Sequence, residues 1–194
     1  MIKTACIGDS ITWGFTILRR RKNTYPAQLQ ELLGHDWKVR NFGVNNACAN
    51  FSGDLPYGRL PALHKALRFK PDVVVMMLGT NDSKRVNWNP EAFVSGYSRI
   101  VDSFLGLKRV PKVFLLLPPH IYGEYGPEMF ALNEDRLAGE IIPAIREIAQ
   151  ERNLPLIDIH SVIADKSLLN DGIHPGRTGA GMIAWTVASA LLEQ

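Results

Sequence analysis

The sequence predicts an α/β fold in which helices cover both faces of a five-stranded parallel sheet. Two observations predict it. Short apolar runs alternate five times with longer amphipathic stretches, and no repeat or low-complexity tract interrupts the pattern. Such an alternation packs as a parallel sheet, because each crossover places a helix on one face of the sheet. A chain of 194 residues suits one ordinary domain, which we expect to span residues 1–194.

The predicted strands are five apolar runs in which Val, Ile and Leu are frequent. Runs of this composition, bounded by Gly or Pro, are typical of strands that are buried on both faces. The predicted strands are Ile2–Ile7, Trp37–Phe42, Val73–Leu78, Val113–Leu117 and Leu156–Ile159.

The stretches between the strands carry apolar residues at helical spacing. Asn89 is a predicted helix cap, and Pro90 suits the first helical position because its missing N–H has no partner there. Pro143 predicts a kink, since proline lacks a backbone donor and clashes with the preceding turn. The predicted helices are Tyr25–Leu33, Leu60–Phe69, Pro90–Leu107, Pro127–Arg152 and Thr178–Leu192.

Composition and charge argue against several classes of protein. The longest unbroken apolar run, Val73–Leu78, is far shorter than the ~20 residues that span a bilayer, so we expect no membrane partner. The net charge is only +3 and the one basic cluster is Arg19–Lys22, so we expect no nucleic-acid partner. Two cysteines, with no Cys-x-x-Cys or His-Glu-x-x-His motif, predict no disulfide framework, no metal site and no cofactor.

The first residues predict the compartment. Met1-Ile2-Lys3-Thr4 runs directly into the first predicted strand, without the pattern of a signal peptide. As written, the chain is expected to be cytoplasmic. A secreted or periplasmic protein whose leader had been removed would begin in the same way, and the sequence makes no prediction of the oligomeric state.

Polar residues lie at the carboxyl ends of the first three predicted strands, and a further polar segment follows the fifth strand, near the last predicted helix. Ligands of parallel α/β sheets bind beyond the carboxyl ends of the strands. A serine, a histidine, an aspartate and several amide donors are therefore predicted to share one edge of the sheet. The segments are Gly8-Asp9-Ser10, Asn41-Phe42-Gly43-Val44-Asn45-Asn46, Gly79-Thr80-Asn81-Asp82 and Asp171-Gly172-Ile173-His174.

These residue types suit nucleophilic catalysis. The hydroxyl of Ser10 is a poor nucleophile until a base takes its proton, and His174 is the candidate base. Asp171 lies three residues before His174, so in a turn its carboxylate can accept from the other ring nitrogen and orient the imidazole.

An attacked carbonyl develops negative charge, which preorganised donors stabilise. The candidate donors are the backbone N–H of Ser10, the loop at Asn46 and the side-chain amide of Asn81. Asp9 and Asp82 are interpreted as structural acceptors at their turns, and Asp9 is also retained as a possible substrate contact.

Taken together, the four blocks resemble the SGNH, or GDSL-type, hydrolase family, over the whole chain and in the same order. The resemblance implies a three-layer α/β/α, flavodoxin-like fold and ester hydrolysis without a metal. It implies that Ser10 is the nucleophile, His174 the base, Asp171 its orienting partner and Asn81 an oxyanion donor. The second block of this family usually ends in a glycine whose N–H lines the oxyanion hole. Asn46 stands at that position, and we hypothesise that its main-chain N–H serves instead.

A finer resemblance is to the sialate O-acetylesterase-like branch, which implies removal of acetyl groups from sugars. It is carried by Tyr25-Pro26-Ala27-Gln28-Leu29, Gly53-Asp54-x-Pro56-Tyr57 and Leu78–Lys84, with Trp88 following. Residues 83–89 are expected to overhang the site. Three possible substrate contacts follow: Trp88 can stack on a sugar ring, Lys84 can attract a sugar carboxylate, and His120 lies at the same sheet edge.

The predicted function is therefore that of a serine esterase acting on short esters, acetyl above all, of carbohydrates such as O-acetylated sugars or sialic acid. One alternative is an acyl-thioesterase or lysophospholipase with the same three residues, which would need an apolar groove for a long chain. Another is a carbohydrate- or flavin-binding module that performs no chemistry.

Overall fold

The computed structural model describes residues 1–123 and 127–193. Its five strands are β1 (Ile2–Gly8), β2 (Trp37–Gly43), β3 (Val73–Met77), β4 (Lys112–Leu117) and β5 (Leu156–Asp158). All neighbouring strands pair in parallel, and their order across the sheet is β2-β1-β3-β4-β5. This is the flavodoxin-like strand order, and it confirms the predicted five-stranded parallel sheet.

The main helices lie close to their predicted positions, and the helix predicted over Tyr25–Leu33 is observed with the same bounds. The α-helices are α1 (Ser10–Trp13), α2 (Arg20–Asn23), α3 (Tyr25–Leu33), α4 (Pro61–Phe69), α5 (Pro90–Leu105), α6 (Glu134–Arg136), α7 (Ile142–Glu151), α8 (Ile159–Val162) and α9 (Arg177–Leu192). Short 3-10 turns lie at Tyr57–Arg59, Asn81–Ser83 and Lys166–Leu168. Within the described residues, no helix combines the length and hydropathy needed to cross a membrane.

Two apolar cores sandwich the sheet, because successive side chains of a strand point to opposite faces. Ala5 and Ile7 of β1 belong to one core, together with the buried faces of α4, α5 and α7. Cys6, between them, belongs to the other core, together with α3 and α9. The helices on both faces confirm the three-layer α/β/α architecture.

The second strand departs from the prediction of burial on both faces. No residue of β2 is buried, whereas every residue of β3 is. The reason is position: β2 lies at the edge of the sheet and pairs only with β1. The prediction of two-sided burial was therefore wrong for β2, whose Val39 and Phe42 are only partly buried.

The predicted helix Pro127–Arg152 begins seven residues later than expected, at Glu134. The side chain of Asn133 accepts a hydrogen bond from the N–H of Arg136 at 2.7 Å, which starts the helix there. A π-helical turn, Leu137–Ile141, separates α6 from α7. Pro143 is the second residue of α7. In place of the predicted kink, the helix has a widened turn just before the proline, because the proline ring clashes with the turn that precedes it.

Candidate active site

The loops after β1, β2 and β3 meet where the strand order reverses. The chain leaves β1 toward β2 on one side and returns to β3 on the other, which opens a crevice at the carboxyl ends of these strands. Ser10, Asn46 and Asn81 each come from one of these loops, and all three line one cavity of about 590 Å³. Asp171 and His174, which precede α9, line the same cavity. Its volume is typical of a small-molecule site.

Ser10 is placed by the start of α1. The carboxylate of Asp9 caps this helix by accepting the N–H of Ile11 at 2.9 Å. Gly43 lets the helix lie against β2, since a Cβ on Gly43 would be only 2.3 Å from the main-chain nitrogen of Trp13. Ser10 is 8% exposed, and its accessible surface opens into the cavity.

A continuous chain of hydrogen bonds joins the three residues predicted to act together. The Nε2 atom of His174 lies 2.9 Å from Oγ of Ser10, and its Nδ1 atom lies 2.7 Å from Oδ2 of Asp171. The structure thus brings together a serine and a histidine that are 164 positions apart in the sequence.

The turn from Asp171 to His174 holds the carboxylate in place. Its Oδ1 atom accepts the main-chain N–H groups of Ile173 at 3.0 Å and His174 at 2.8 Å. Partial burial acts to raise the pKa of Asp171, but hydrogen bonds from the backbone and ring of His174 outweigh it and hold this pKa below its ordinary value. An ionised Asp171 accepts a hydrogen bond from Nδ1–H of His174, which leaves the Nε2 lone pair directed at Ser10.

The two candidate oxyanion donors from the other loops differ in how they are held. Asn81 lies in the 3-10 turn after β3, and its Nδ2 atom donates to the carbonyl oxygen of Ala47 at 3.1 Å. Asn46 is in the left-handed region, with φ 62°, in a turn closed by the bond from Ala47 N–H to the oxygen of Val44. Asparagine tolerates this conformation better than most residues, which accounts for its presence where glycine is usual.

Two fully buried carboxylates lie behind the cavity and bind backbone. Asp82 accepts the N–H groups of Ala49 and Asn50, and burial raises its pKa to about 6. Burial also raises the pKa of Asp9, to about 7. Neither side chain lines the cavity, so Asp9 is placed for its structural role at the helix cap and not for contact with a ligand.

One wall of the cavity is an ion pair. The Nζ atom of Lys84 lies 3.1 Å from Oδ2 of Asp54, and both residues line the cavity. Asn87 fixes the aspartate, because its Nδ2 atom donates to Oδ1 of Asp54 at 2.9 Å and its Oδ1 atom accepts the N–H of Asp54 at 2.7 Å. The cavity therefore presents a charged donor and a charged acceptor side by side.

Two further residues predicted to contact substrate also lie away from the cavity. Trp88 packs against Phe93 with ring centroids 5.7 Å apart, and its Nε1 atom donates to Glu140 at 3.0 Å. His120 lies against Glu134, and neither Trp88 nor His120 lines the cavity. His160 belongs to α8, because Asp158 caps a helical turn that begins directly after β5.

Sequence reasoning missed the apolar lining of the cavity. Phe15 packs against the ring of His174 with centroids 4.8 Å apart, and Leu55, Phe130, Leu132 and Ile173 complete this lining. No motif marks Phe15, Phe130 or Leu132. Phe130 in particular fell within a stretch predicted to be helical, whereas the structure places it in the turn before α6.

The chain matches the model of the GDSL-like lipase/acylhydrolase family over residues 6–181. It is 37% identical, over 210 aligned residues, to an acetylxylan esterase of Xylanibacter ruminicola. That alignment covers 98% of this chain and 43% of the relative, so the chain spans less than half of the relative's length.

Solved structures share the fold. The aryl esterase of M. smegmatis superposes with a TM-score of 0.82 at 24% identity, covering 100% of this chain and 99% of the other. A carbohydrate acetylesterase of Sinorhizobium meliloti gives a TM-score of 0.82 at 20% identity, with the same coverage. With the family match over most of its length and a relative at 37% identity, the chain belongs to the GDSL-like lipase/acylhydrolase, or SGNH, family.

Proposed function

We propose that this protein is a carboxylic ester hydrolase that removes acetyl groups from carbohydrates, and that Ser10, His174 and Asp171 perform the reaction. The observation that carries the proposal is the chain of hydrogen bonds from Ser10 through His174 to Asp171, at the wall of a cavity of about 590 Å³. Nucleophile, base and orienting group are each within hydrogen-bond reach of the next, as a serine esterase requires.

In the first half of the reaction, Oγ of Ser10 attacks the carbonyl carbon of the acetyl ester while its proton passes to Nε2 of His174. Asp171 stabilises the imidazolium that forms. The tetrahedral intermediate then collapses: the bond to the alcohol oxygen breaks, and His174 gives its proton to that oxygen. The alcohol leaves, and the acetyl group remains esterified to Ser10.

In the second half, a water molecule gives a proton to His174 and attacks the acetyl carbonyl carbon. Collapse of this intermediate breaks the bond to Ser10, and the proton returns to Oγ as acetate leaves. In both halves the carbonyl oxygen carries negative charge. The proposed donors to it are the main-chain N–H of Ser10, that of Asn46 and the side chain of Asn81, because all three residues line the cavity from different loops.

The polar wall supports a carbohydrate as the alcohol. Lys84 donates hydrogen bonds and Asp54 accepts them, and sugar hydroxyls do both. The names of an acetylxylan esterase and a carbohydrate acetylesterase among similar proteins support the same substrate class and an acetyl group. The mixed lining, in which an ion pair and the apolar side chains of Phe15 and Phe130 share one cavity, does not resemble a uniformly apolar groove for a long acyl chain.

The test is acetate release from acetylated xylose oligomers, O-acetylated sialic acids and other O-acetylated sugars, with Ser10→Ala as the blank. We expect release from at least one carbohydrate that depends on Ser10. A parallel series of nitrophenyl esters, from acetyl to long acyl chains, should show the highest kcat/KM for acetyl.

Two outcomes would contradict the proposal in different ways. If only nitrophenyl acetate is cleaved and no sugar releases acetate, the catalytic residues stand and the carbohydrate is wrong. If kcat/KM rises with chain length, the site is that of a lysophospholipase or thioesterase. Release of acetate by Ser10→Ala at the rate of the unsubstituted enzyme would overturn the assignment of the nucleophile.

A further inference from the structure

A cluster of two histidines and a glutamate lies outside the catalytic cavity. Its members come from separate segments: His120 follows β4, Glu134 begins α6 and His160 lies in α8. The Oε1 atom of Glu134 is 2.7 Å from Nδ1 of His120 and 3.5 Å from Nε2 of His160. One side-chain nitrogen or oxygen from each residue lies within 4.8 Å of the other two.

Neighbouring backbone groups aim these atoms at a common point. Glu134 accepts the N–H of Ile121 through Oε2 at 2.7 Å, which turns Oε1 toward the two rings. The Nδ1 atom of His160 lies 3.0 Å from the carbonyl oxygen of Pro118, to which it donates as Nδ1–H, so Nε2 carries the lone pair. Histidine ligands of metal ions are commonly oriented in this way, by donating the other ring N–H to a carbonyl or carboxylate.

An ion pair alone does not account for this arrangement. A bond from His120 to Glu134 satisfies one imidazole, but it leaves the Nε2 lone pair of His160 facing the same carboxylate oxygen. Two acceptors that face each other call for a cation between them.

We propose that His120, Glu134 and His160 bind a divalent transition-metal ion of the zinc type. Two imidazole nitrogens and one carboxylate oxygen are a ligand set that Zn²⁺ accepts, with water in the fourth position. Ligand atoms of a tetrahedral zinc ion lie about 3.3 Å apart, since each bond is about 2.0–2.1 Å long. The distances of 2.7 and 3.5 Å lie on either side of that value, and the rings of His120 and His160, whose centroids are 3.5 Å apart, would turn away from each other around the ion.

The role that this position supports is structural. The ion would join the segment after β4 to α6 and α8. The segment after β4 also contacts the turn from Asp171 to His174, because the N–H of Tyr122 donates to the carbonyl oxygen of Gly172 at 2.7 Å. None of the three ligands lines the catalytic cavity, so the bound ion takes no part in the attack by Ser10.

The test is calorimetric titration of the chelator-treated full chain with ZnCl2, with the melting temperature measured in parallel. We expect one equivalent of zinc per chain and a melting temperature that rises with zinc concentration. His160→Gln and Glu134→Gln should each weaken zinc binding by about 10-fold or more. The matched control is His64→Gln, which removes an exposed histidine of α4 and should bind zinc as the unsubstituted chain does.

Titration with Co²⁺ tests the site without any substitution. Zinc-displaceable visible absorption typical of tetrahedral cobalt, at one equivalent per chain, is the expected result. Absence of saturable zinc binding to the unsubstituted chain would overturn the proposal, as would His160→Gln binding zinc with unchanged affinity. Far-UV circular dichroism of the metal-free variants separates loss of the ligand from loss of the fold.

Discussion

Asp82 binds the main-chain N–H of Ala49 through both of its carboxylate oxygens, at 3.0 and 2.9 Å. Asp82 directly follows Asn81, and Ala49 lies three residues after Asn46. One buried carboxylate therefore ties together the two loops that carry these candidate oxyanion donors. Donors held in this way need no reorganisation when charge develops on the substrate, which is the condition for electrostatic stabilisation of a transition state.

Asn81→Ala is expected to lower kcat by about 10²–10³-fold with little change in KM, because one oxyanion donor is lost. Steady-state kinetics with nitrophenyl acetate measures it. Asn46→Gly is the matched comparison: glycine keeps the main-chain N–H and adopts φ 62° without strain, so kcat should stay within about threefold. A large loss in Asn46→Gly would instead assign the donor to the asparagine side chain, and full activity of Asn81→Ala would remove that residue from the oxyanion hole.

Ser10→Ala is expected to lower kcat by at least about 10³-fold, because in the described residues no other hydroxyl is hydrogen-bonded to Nε2 of His174. Active-site labelling with a fluorophosphonate should fail in the same variant. Ser95→Ala, at an exposed position of α5, is the control and should retain full activity. Hydrolysis and labelling that survive in Ser10→Ala would place the nucleophile elsewhere.

Asp171→Asn is expected to lower kcat by about 10²–10⁴-fold without loss of the fold. The amide oxygen can still accept the N–H groups of Ile173 and His174, so the turn is kept. The amide NH2 then faces Nδ1, which places the ring proton on Nε2 and leaves no lone pair for Ser10. Activity and circular dichroism measured together check this: unchanged kcat in a folded variant would rule out the orienting role.

Lys84→Gln is expected to raise KM for an acetylated xylose oligomer by about 10-fold, because a hydrogen bond from a charged group is lost. The kcat/KM for nitrophenyl acetate, which has no sugar hydroxyls, should change less than about twofold. Lys65→Gln, on the exposed face of α4, serves as the control. Equal losses on both substrates would show that Lys84 supports the fold of the cavity and does not recognise the sugar.

Asp9→Asn is expected to flatten the pH dependence of stability. Burial raises the pKa of Asp9 from 3.8 to about 7, so between these values the folded chain keeps a proton that the unfolded chain has released. The stability contributed by Asp9 is fully present below pH 3.8 and is lost as the pH rises through 7.

Asparagine keeps the oxygen that caps α1 and removes this titration. From pH 5 to 8 the unfolding free energy of the unsubstituted chain should therefore fall by about 3 kcal/mol relative to that of Asp9→Asn. Urea denaturation at each pH measures it, with Asp36→Asn, at an exposed position, as the control. Parallel pH profiles of the unsubstituted chain and Asp9→Asn would mean that Asp9 titrates normally.

The alternation of apolar runs and amphipathic stretches predicted the sheet, and the helix Tyr25–Leu33 formed where leucine spacing placed it. It did not predict that β2 is an exposed edge strand, because strand order depends on which side of β1 the chain turns. Nor did it predict the start of α6, where the single cap provided by Asn133 outweighs helical spacing upstream.

The candidate catalytic residues could be named from the sequence for a physical reason. Carboxyl ends of parallel strands share one edge of the sheet, so polar residues after successive strands must lie near one another. Asp171 and His174 are moreover close in sequence, and a single turn suffices to join them. Short-range spacing and sheet topology together account for Ser10, Asn81, Asp171 and His174 at one cavity.

Only the tertiary structure decided the remaining neighbours. The pairing of Lys84 with Asp54 spans 30 positions. The contact between His160 and Glu134 joins α8, which follows β5 in the chain, to α6, which precedes it. Such contacts depend on the exact path of loops, which local propensity and periodicity do not encode. The sequence by itself therefore determined the sheet, the family and the residues at the strand ends, whereas packing between distant segments decided the cavity walls and the histidine–glutamate cluster.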